Sequence, residues 1–439
     1  MAGRPCGMEH MHIIRFLGKR EYGLGATALA FIVLQVYLDL KLPDYMQTIT
    51  TLIVTPGTAM GRVLGEGALM LGCALGSMLA TVVTGYCMAV IGTSMAQRMR
   101  AGVFDATLDF SMAEIGEFST PSLITRSTND VTQIQMFIVM AVQLLVRSPI
   151  VAVWAILKIS DANMTWTLAT GAAVAVLLTV LGVIAVLVTP RMMRMQRITD
   201  DLNRVTREHL SGLRVIRAYN SQGFHGRRFE AANAELTGAN TFVNNAFAFL
   251  MPSLTAIMSG LSLAIYVLGA VMIDAATGAE RLTLFSQMIV FSAYALQIVG
   301  AFMMLAFVFI FMPRARVAWR RIREVLSTEP GIADGAARVG RSRASGEVEF
   351  RNVSFRYPDA EDDALKDVSF TARPGQTVAI IGSTGSGKSS IVNLVPRFYD
   401  VREGQVLVDG RDVREWEQKA LRDRISFVPQ RATLFSGTI

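Results

Sequence analysis

Residues 382–389 read GSTGSGKS and match the pattern G-x-x-x-x-G-K-[ST] at every position. The apolar run before them, residues 377–381, predicts a buried strand, and residues 391–395 predict the start of an apolar helix after them. In such a strand–loop–helix the glycines allow successive backbone N–H groups to surround phosphates, and the positive end of the helix adds to the attraction. We therefore expect Lys388 to contact the β- and γ-phosphates of a nucleotide and Ser389 to bind Mg²⁺. A glycine turn with a chance lysine is the alternative.

The sequence before this motif is far more apolar than the sequence around it. Of the 439 residues, 52% are hydrophobic, and the long apolar stretches lie in residues 23–312. A bilayer core needs about 20 apolar residues per helix. Six segments meet this requirement, and we predict a transmembrane helix at each of them: residues 23–43, 66–94, 138–159, 165–189, 246–273 and 284–312. The first is a retained helix and not a signal peptide, because Asp39, Lys41 and Asp44 follow in place of a small-residue cleavage site.

Basic residues set the expected orientation. Arginines are dense after the second, fourth and sixth segments, whereas the opposite connections are short and poor in basic residues. By the positive-inside rule both termini are cytoplasmic. The net charge of +7 does not indicate nucleic-acid binding, because the arginines cluster at the ends of apolar segments and are not interleaved with exposed aromatic residues. Residues 10–22 fit either an amphipathic helix in the interface or the cytoplasmic start of the first helix.

The cytoplasmic connections are long, and their apolar residues recur at helical spacing, so we expect the helices to continue well below the membrane. Arg147 is either a functional intramembrane charge or a side chain that reaches back to the interface. Gly72 and Gly76 form a weak G-x-x-x-G signal for close helix packing. The sixth segment carries side chains that either line a cavity for apolar ligands or simply pack: Met288, Phe291, Tyr294, Gln297, Met303 and Met304.

The composition changes after the sixth segment. Residues 326–345 are polar and rich in glycine, alanine and arginine, which predicts a linker. The strand patterns that follow are residues 348–355 with a bulge, 368–370, 377–381, 406–408 and 425–428, of which the third and the fifth should be fully buried. An Asp409-Gly410 turn ends the fourth. Tyr357 follows the first strand and is either a ring that stacks on adenine or an exposed turn residue.

Four stretches together resemble the exporter-type ATP-binding cassette (ABC) transporters, the multidrug and lipid exporter group, in which a membrane domain and an ATP-binding domain are fused in one half-transporter. The stretches are residues 382–390, residues 404–439 with GQVLVDGRDVREW and SFVPQ, PRARVAWRRIREVL at 313–326, and SGLRVIRAYNSQGFHGRRFEAAN at 211–233. The resemblance implies an all-α six-helix transmembrane domain of the ABC exporter type 1 fold, followed by a partial α/β P-loop NTPase domain. The implied divisions are a cytoplasmic N-terminus (1–22), the transmembrane domain (23–325), a linker (326–345) and the first part of the nucleotide-binding domain (346–439).

The resemblance also implies ATP and Mg²⁺ as cofactors. Tyr357 would stack on adenine, and Gln430 in the Q-loop would contact Mg²⁺ together with Ser389. The implied ATP-binding residues are Tyr357, Ser383, Thr384, Gly385, Ser386, Gly387, Lys388, Ser389, Ser390 and Gln430. Short helices near residues 113–121 and 218–224 would contact the ATP-binding domains.

The same resemblance implies a multi-pass protein of a cell membrane, the plasma membrane of a bacterium. Its partners would be the lipid membrane and a second half-transporter subunit, identical or different, with no nucleic acid. Its substrate would be an apolar or amphipathic small molecule or a lipid, moved outward.

The family's signature motif, Walker B strand, catalytic glutamate and switch histidine come after the Q-loop and are not found in the 439 residues. We therefore expect no catalytic residue in this chain and no ATP hydrolysis by the chain alone. A non-catalytic truncated subunit and a membrane regulator are the alternative functions.

Overall fold

The structure is a computed structural model that describes residues 13–55, 57–160, 164–340, 346–430 and Gly437. Its described residues fall into two compact units. Residues 17–94 and 135–314 form the helical unit. Residues 95–134 and 315–439, with those up to Phe16, form the mixed unit.

Long helices make up most of the described chain. In chain order the α-helices before the sheet, long and short, are α1 (Lys19–Val54), α2 (Met60–Asp109), α3 (Met112–Phe118), α4 (Thr120–Thr125), α5 (Val131–Ser160), α6 (Met164–Ser211), α7 (Leu213–Ala218), α8 (Gln222–Ala275) and α9 (Ala279–Ser327). Among the residues that the structure describes, six spans are long and apolar enough to cross a membrane: α1, α2, the continuous stretch of α4 and α5, α6, α8 and α9. Each contains one predicted transmembrane segment, so the prediction of a six-helix membrane domain is confirmed.

Helices α6 and α8 continue far beyond their apolar segments. They have 48 and 54 residues. At 1.5 Å per residue they are about 70 and 80 Å long, more than twice the ~30 Å core of a bilayer. The two helices pack against each other. The prediction that the helices continue well past their apolar segments is confirmed for α6 and α8.

The start of α1 decides between the two interpretations of residues 10–22 for the part of this range that the structure describes. Residues Ile13–Phe16 form a 3-10 turn, and α1 begins at Lys19 after the Gly18 N–H, which donates to Glu21 Oε2 at 2.8 Å. Residues 19–22 are therefore the first turn of the long helix and not a separate interfacial helix. Residues 10–12 lie outside the described residues.

The core of the helical unit consists of apolar side chains from α1, α5, α6, α8 and α9. The rings of Trp166 and Phe291 lie 5.4 Å apart, and Met288 lies directly over Gly269. Tyr294 is buried as well. The packing interpretation therefore holds for Met288, Phe291 and Tyr294, and the cavity-lining interpretation is wrong for these three, because neighbouring helices enclose their side chains.

Polar contacts join α1 to three other helices of the helical unit, and one of these contacts is a hydrogen bond from the Ser77 hydroxyl of α2 to Asp39. An oxygen of Asp39 lies 3.0 Å from Nη2 of Arg147 on α5. Further along α1, Asp44 pairs with Lys158 of α5 at 2.9 Å and accepts a hydrogen bond of 2.6 Å from the Tyr294 hydroxyl on α9. Arg147 is thus paired with a carboxylate on another helix, a partner that neither sequence interpretation named.

The G-x-x-x-G signal on α2 marks close packing at one of its two glycines. A Cβ at Gly76 would lie 3.0 Å from Cδ1 of Leu38 on α1. Gly72 has open space around it. Only Gly76 therefore allows a close approach of α1 and α2.

The mixed unit contains a four-stranded antiparallel sheet. Its strands are β1 (Val348–Phe355), β2 (Leu365–Ala372), β3 (Glu403–Val408) and β4 (Arg411–Asp412), in the spatial order β2-β1-β3-β4. The pairing of β1 with β2 shifts register after Phe350, and Asn352 there has a φ of 48°, so the predicted bulge is confirmed. Asp409 and Gly410 have φ values of 50° and 72° and form the predicted tight turn between β3 and β4.

Two short helices pack on this sheet, α10 (Lys388–Leu394) and α11 (Gln418–Arg422). Leu394 of α10 and Leu421 of α11 join Phe350, Phe355 and Trp416 in one buried cluster. This packing holds α10 against the sheet, and it fixes the position of the glycine-rich loop that precedes α10.

Two predicted strands do not form in the described residues. Neither residues 377–381 nor 425–428 are in a strand, and the side chains of Ile381 and Val428 are 91% and 90% exposed. The prediction that these runs are buried strands is wrong for this structure. An apolar run becomes a buried strand only when neighbouring strands bind its edges and other elements cover its faces. No described strand pairs with either run.

Part of the predicted linker is hydrogen-bonded to residues 415–417, which follow β4. Backbone hydrogen bonds join Gly335 N to Trp416 O (3.0 Å), Ala337 N to Glu415 O (2.9 Å) and Glu417 N to Ala337 O (2.8 Å). Residues 341–345 lie outside the described residues. The chain before them is therefore packed within the mixed unit, and the domain boundaries of the sequence analysis stay predictions.

Candidate nucleotide-binding site

The backbone of the GSTGSGKS loop favours glycine at two positions. Gly385 and Gly387 have φ values of 84° and 85°, a left-handed conformation that other residues adopt at a cost. A Cβ at Gly387 would also lie 2.7 Å from the carbonyl oxygen of Ala364. The loop is therefore held closely against the start of β2 and leads directly into α10.

The ammonium group of Lys388 folds back into this loop. It donates hydrogen bonds to the carbonyl oxygens of Gly382 (3.0 Å) and Ser383 (2.6 Å) and to Oγ of Ser386 (3.3 Å). Residues 382–386 are exposed, so an anion can reach the loop from solvent. An ammonium group beside the N–H groups of a glycine-rich turn is a donor set that suits a phosphate. The residues present therefore fit the polyphosphate of a nucleotide.

The structure brings Tyr357 to the same place, although 33 positions separate it from Ser390. The hydroxyl of Tyr357 and Oγ of Ser390 are 2.9 Å apart. The ring meets Phe355 edge to face at 4.8 Å and Tyr399 at 5.2 Å. An aromatic ring therefore lies beside the first turn of α10, and it is the ring that the family resemblance implies would stack on adenine.

Sequence reasoning missed Tyr399 as a member of this aromatic cluster. Its ring contacts both Phe355, at 5.5 Å, and Tyr357. Burial, together with the nearby Tyr357 and Asp359, raises the pKa of the Tyr399 hydroxyl, which keeps this group neutral. No spacing rule in the sequence identifies this contact, because it depends on how the segment after α10 returns to β1.

The remaining predicted residues are exposed. Thr384 lies at the tip of the loop, Ser389 on the first turn of α10, and Gln430 at the end of the continuous described segment. No hydrogen bond joins Ser389 to Gln430 among the described side chains. Their shared contact with Mg²⁺ therefore stays a prediction.

The first predicted short cytoplasmic helix is present as α3, and it contacts the chain that leads to the sheet. Oε1 of Glu114 accepts a hydrogen bond of 3.3 Å from the Gly331 N–H. After α4, Arg126 donates to the carbonyl oxygen of Arg321 at 2.7 Å and to Oε2 of Glu324 at 2.9 Å. These bonds attach the α3–α4 segment to the end of α9 within the mixed unit.

The second predicted short helix lies earlier than expected. It is α7, which ends at Ala218, and residues 219–221 form a turn in which Asn220 has a φ of 50°. The placement at 218–224 is therefore wrong, because this turn separates α7 from α8. Tyr219 and Phe224 are nevertheless exposed at this end of the α6–α8 pair, at 80% and 60%.

Comparisons with known proteins match both parts of the chain. Residues 29–302 match the family model of the ABC transporter transmembrane region. Residues 365–439 match the family model named ABC transporter. The first match alone covers more than half of the 439 residues.

Several curated proteins are similar over most of the chain. An uncharacterized ABC transporter ATP-binding protein of Mycobacterium tuberculosis is 37% identical over 401 residues, which are 90% of this chain and 68% of that protein. One of Bacillus subtilis is 32% identical over 85% of this chain and 64% of its own length. An ATP-dependent lipid A-core flippase of Cupriavidus metallidurans is 30% identical over 87% of this chain and 63% of its own length.

Proposed function

Because the chain belongs to the ABC transporter family, we propose that it is one half of an exporter that couples ATP binding and hydrolysis to outward movement of an apolar or amphipathic molecule. This chain alone is not expected to hydrolyse ATP. The proposal rests on the observation that one chain contains both six apolar helices and a glycine-rich loop around the Lys388 ammonium group. We propose a second half-transporter, identical or different, as its partner. The sequence similarity to exporter-type half-transporters supports this partner.

The roles of the nucleotide-site residues are part of the proposal. Lys388 binds the β- and γ-phosphates, Ser389 and Gln430 contact Mg²⁺, and the ring of Tyr357 lies on the adenine. ATP bound there supplies the free energy that favours one arrangement of the helices over another. The position of Lys388 in the loop supports its role, because its present partners are carbonyl and hydroxyl oxygens that phosphate oxygens can replace.

The substrate class rests on the relatives. A protein that is 30% identical is named a lipid A-core flippase. We infer from this that the transported molecule has apolar chains and a polar end. We propose this class of molecule as the substrate, and not lipid A itself.

We propose that both termini and the nucleotide site face the cytoplasm, where ATP is available. The arginine-rich connections after the second, fourth and sixth helices support this orientation. The exposed rings of Tyr219 and Phe224 then lie on the cytoplasmic side. There they can contact the ATP-binding part of the partner.

The proposal is tested by efflux from cells that carry the Lys388→Ala variant in place of the native protein. Lys366→Ala is the matched control, because Lys366 is an exposed lysine of β2 that is not part of the GSTGSGKS loop. We expect cells with Lys388→Ala to retain a fluorescent lipid analogue that native and Lys366→Ala cells expel. Equal efflux from all three, at equal amounts of protein in the membrane, would show that the loop does not drive export.

A further inference from the structure

We propose that Ser390 is a positioning residue for Tyr357, and that their hydrogen bond determines how much the base of a nucleotide contributes to binding. This inference rests on the proposed function, because it requires ATP at the loop around Lys388. It goes further by naming a contact between the base-binding ring and the helix that follows the phosphate loop. The contact is the 2.9 Å approach of the Tyr357 hydroxyl and Oγ of Ser390.

Tyr357 lies on a connection that does not by itself fix the direction of its ring. The connection runs from the end of β1 to the start of β2. Two backbone hydrogen bonds hold it, one from the Ala360 N–H to the Tyr357 carbonyl oxygen (3.1 Å) and one from the Ala364 N–H to the Phe355 carbonyl oxygen (2.8 Å). These bonds hold the main chain of the turn. The side chain of Tyr357 still has to be held by other groups.

Three contacts hold that side chain, and one of them is directional. Phe355 and Tyr399 meet the ring at 4.8 and 5.2 Å. Aromatic contacts of this kind tolerate a range of offsets and tilts. The hydrogen bond to Ser390 depends on both distance and angle. It therefore selects one position of the ring among those that the aromatic contacts allow.

Ser390 is suited to this role because its own position is fixed. It belongs to the first turn of α10 and is only 5% exposed. A serine hydroxyl has one hydrogen to donate and two lone pairs to accept with. When Tyr357 donates to Ser390, the hydrogen of Ser390 stays available for a phosphate oxygen. One serine can therefore position the base-binding ring without giving up a contact to the phosphates.

This role predicts that loss of the hydrogen bond affects the binding of two ligands differently. ATP uses both the phosphate loop and the ring, whereas inorganic tripolyphosphate uses the loop alone. Loss of the Tyr357 hydroxyl should then weaken only the ligand that has a base. Removing one hydrogen bond typically changes an equilibrium constant by about 3- to 10-fold.

The experiment measures the affinity of both ligands for the full chain in lipid nanodiscs, in the presence of Mg²⁺. The main variant is Tyr357→Phe, which keeps the ring and removes only the hydroxyl. We expect it to bind ATP about 3- to 10-fold more weakly and to bind tripolyphosphate as the native chain does. Tyr266→Phe is the matched control, because it removes the hydroxyl of an exposed tyrosine on α8, outside the nucleotide site, and we expect no change for either ligand.

Ser390 is tested by two further variants. Ser390→Ala should weaken ATP binding at least as much as Tyr357→Phe, and Ser390→Thr should restore it, because threonine keeps the hydroxyl. Combining Ser390→Ala with Tyr357→Phe should cost no more ATP affinity than Ser390→Ala alone, since the two groups share one bond. The Tyr357→Phe result decides the matter even if a Ser390 variant fails to fold.

The inference is overturned if Tyr357→Phe leaves ATP affinity unchanged, or if it weakens both ligands equally. If Lys388→Ala still weakens binding of both ligands by at least 10-fold in those cases, the proposed function stands. A native chain that binds ATP no better than Lys388→Ala overturns the proposed function and this inference together.

Discussion

Gly387 is the most constrained residue of the candidate site. Its φ of 85° disfavours any side chain, and a Cβ there would lie 2.7 Å from a backbone oxygen of Ala364. Gly385 has nearly the same φ, 84°, but nothing lies within 4 Å of its Cβ position. Comparing an alanine substitution at each glycine therefore separates the cost of the left-handed backbone from the cost of a steric clash.

We predict that Gly387→Ala lowers the free energy of unfolding of the chain more than Gly385→Ala does. Each substitution carries the cost of a left-handed backbone, about 1–3 kcal/mol. Only Gly387→Ala adds a clash with backbone that cannot turn aside. Denaturant unfolding of the two variants in detergent, followed by tryptophan fluorescence, measures the difference. Equal losses for the two variants would mean that the loop is not held against β2.

The sequence predicted the loop and Tyr357 but not the contacts that join them. The glycines and Lys388 could be identified because their spacing along the chain is itself the requirement for binding phosphate. The contact of Tyr357 with Ser390, and the presence of Tyr399, could not be predicted from spacing. They depend on the packing of β1 against α10 and on the course of the chain after α10, which local sequence does not encode.

At the scale of helices, the ion pair of Asp39 and Arg147 links α1 to α5. Their atoms are 3.0 Å apart, and the side chain of Asp39 is only 20% exposed. A charge that loses its partner away from water costs more than the same loss at a surface. This pair should therefore contribute to the stability of the helical unit.

We predict that Asp39→Asn lowers the free energy of unfolding by about 1–3 kcal/mol, since it leaves Arg147 without a carboxylate partner. Thermal unfolding in nanodiscs measures this as a lower midpoint. Asp274→Asn is the matched control, because Asp274 is exposed near the end of α8. The double exchange Asp39→Arg with Arg147→Asp should recover part of the loss. No recovery, or an equal effect of the control, would contradict the assignment of the pair.

The helices could be predicted from sequence far better than the strands. Twenty or more apolar residues in a row satisfy their own backbone hydrogen bonds as a helix, so the six spans follow from local sequence. Residues 377–381 need partner strands to become a strand, and no described strand pairs with them. The position of α7 was missed because the turn at Asn220 carries no glycine or proline to mark it.

At the scale of the whole molecule, the proposed orientation places the turn between α7 and α8 on the cytoplasmic side. The connection between α8 and α9 then lies on the opposite side. These two sites are joined by the 54 residues of α8 alone. One labelling experiment can therefore test the orientation of the whole bundle.

We predict that a cysteine at Gln222 reacts with a membrane-impermeant maleimide only after the cytoplasmic side is opened. A cysteine at Thr277 should react in intact cells. Both native residues are exposed, so accessibility within the fold does not limit either reaction. The opposite pattern would reverse the orientation that the arginine distribution predicts.

The central claim is that the loop around Lys388 binds ATP in a chain that is embedded in lipid. The most direct measurement is calorimetric titration of Mg·ATP into the full chain in nanodiscs, for the native protein, Lys388→Ala and Lys366→Ala. We predict saturable binding for the native chain and for Lys366→Ala, and a loss of at least 10-fold in affinity for Lys388→Ala, because it removes a charge-assisted contact to the phosphates. Identical titration curves for all three proteins would contradict the account.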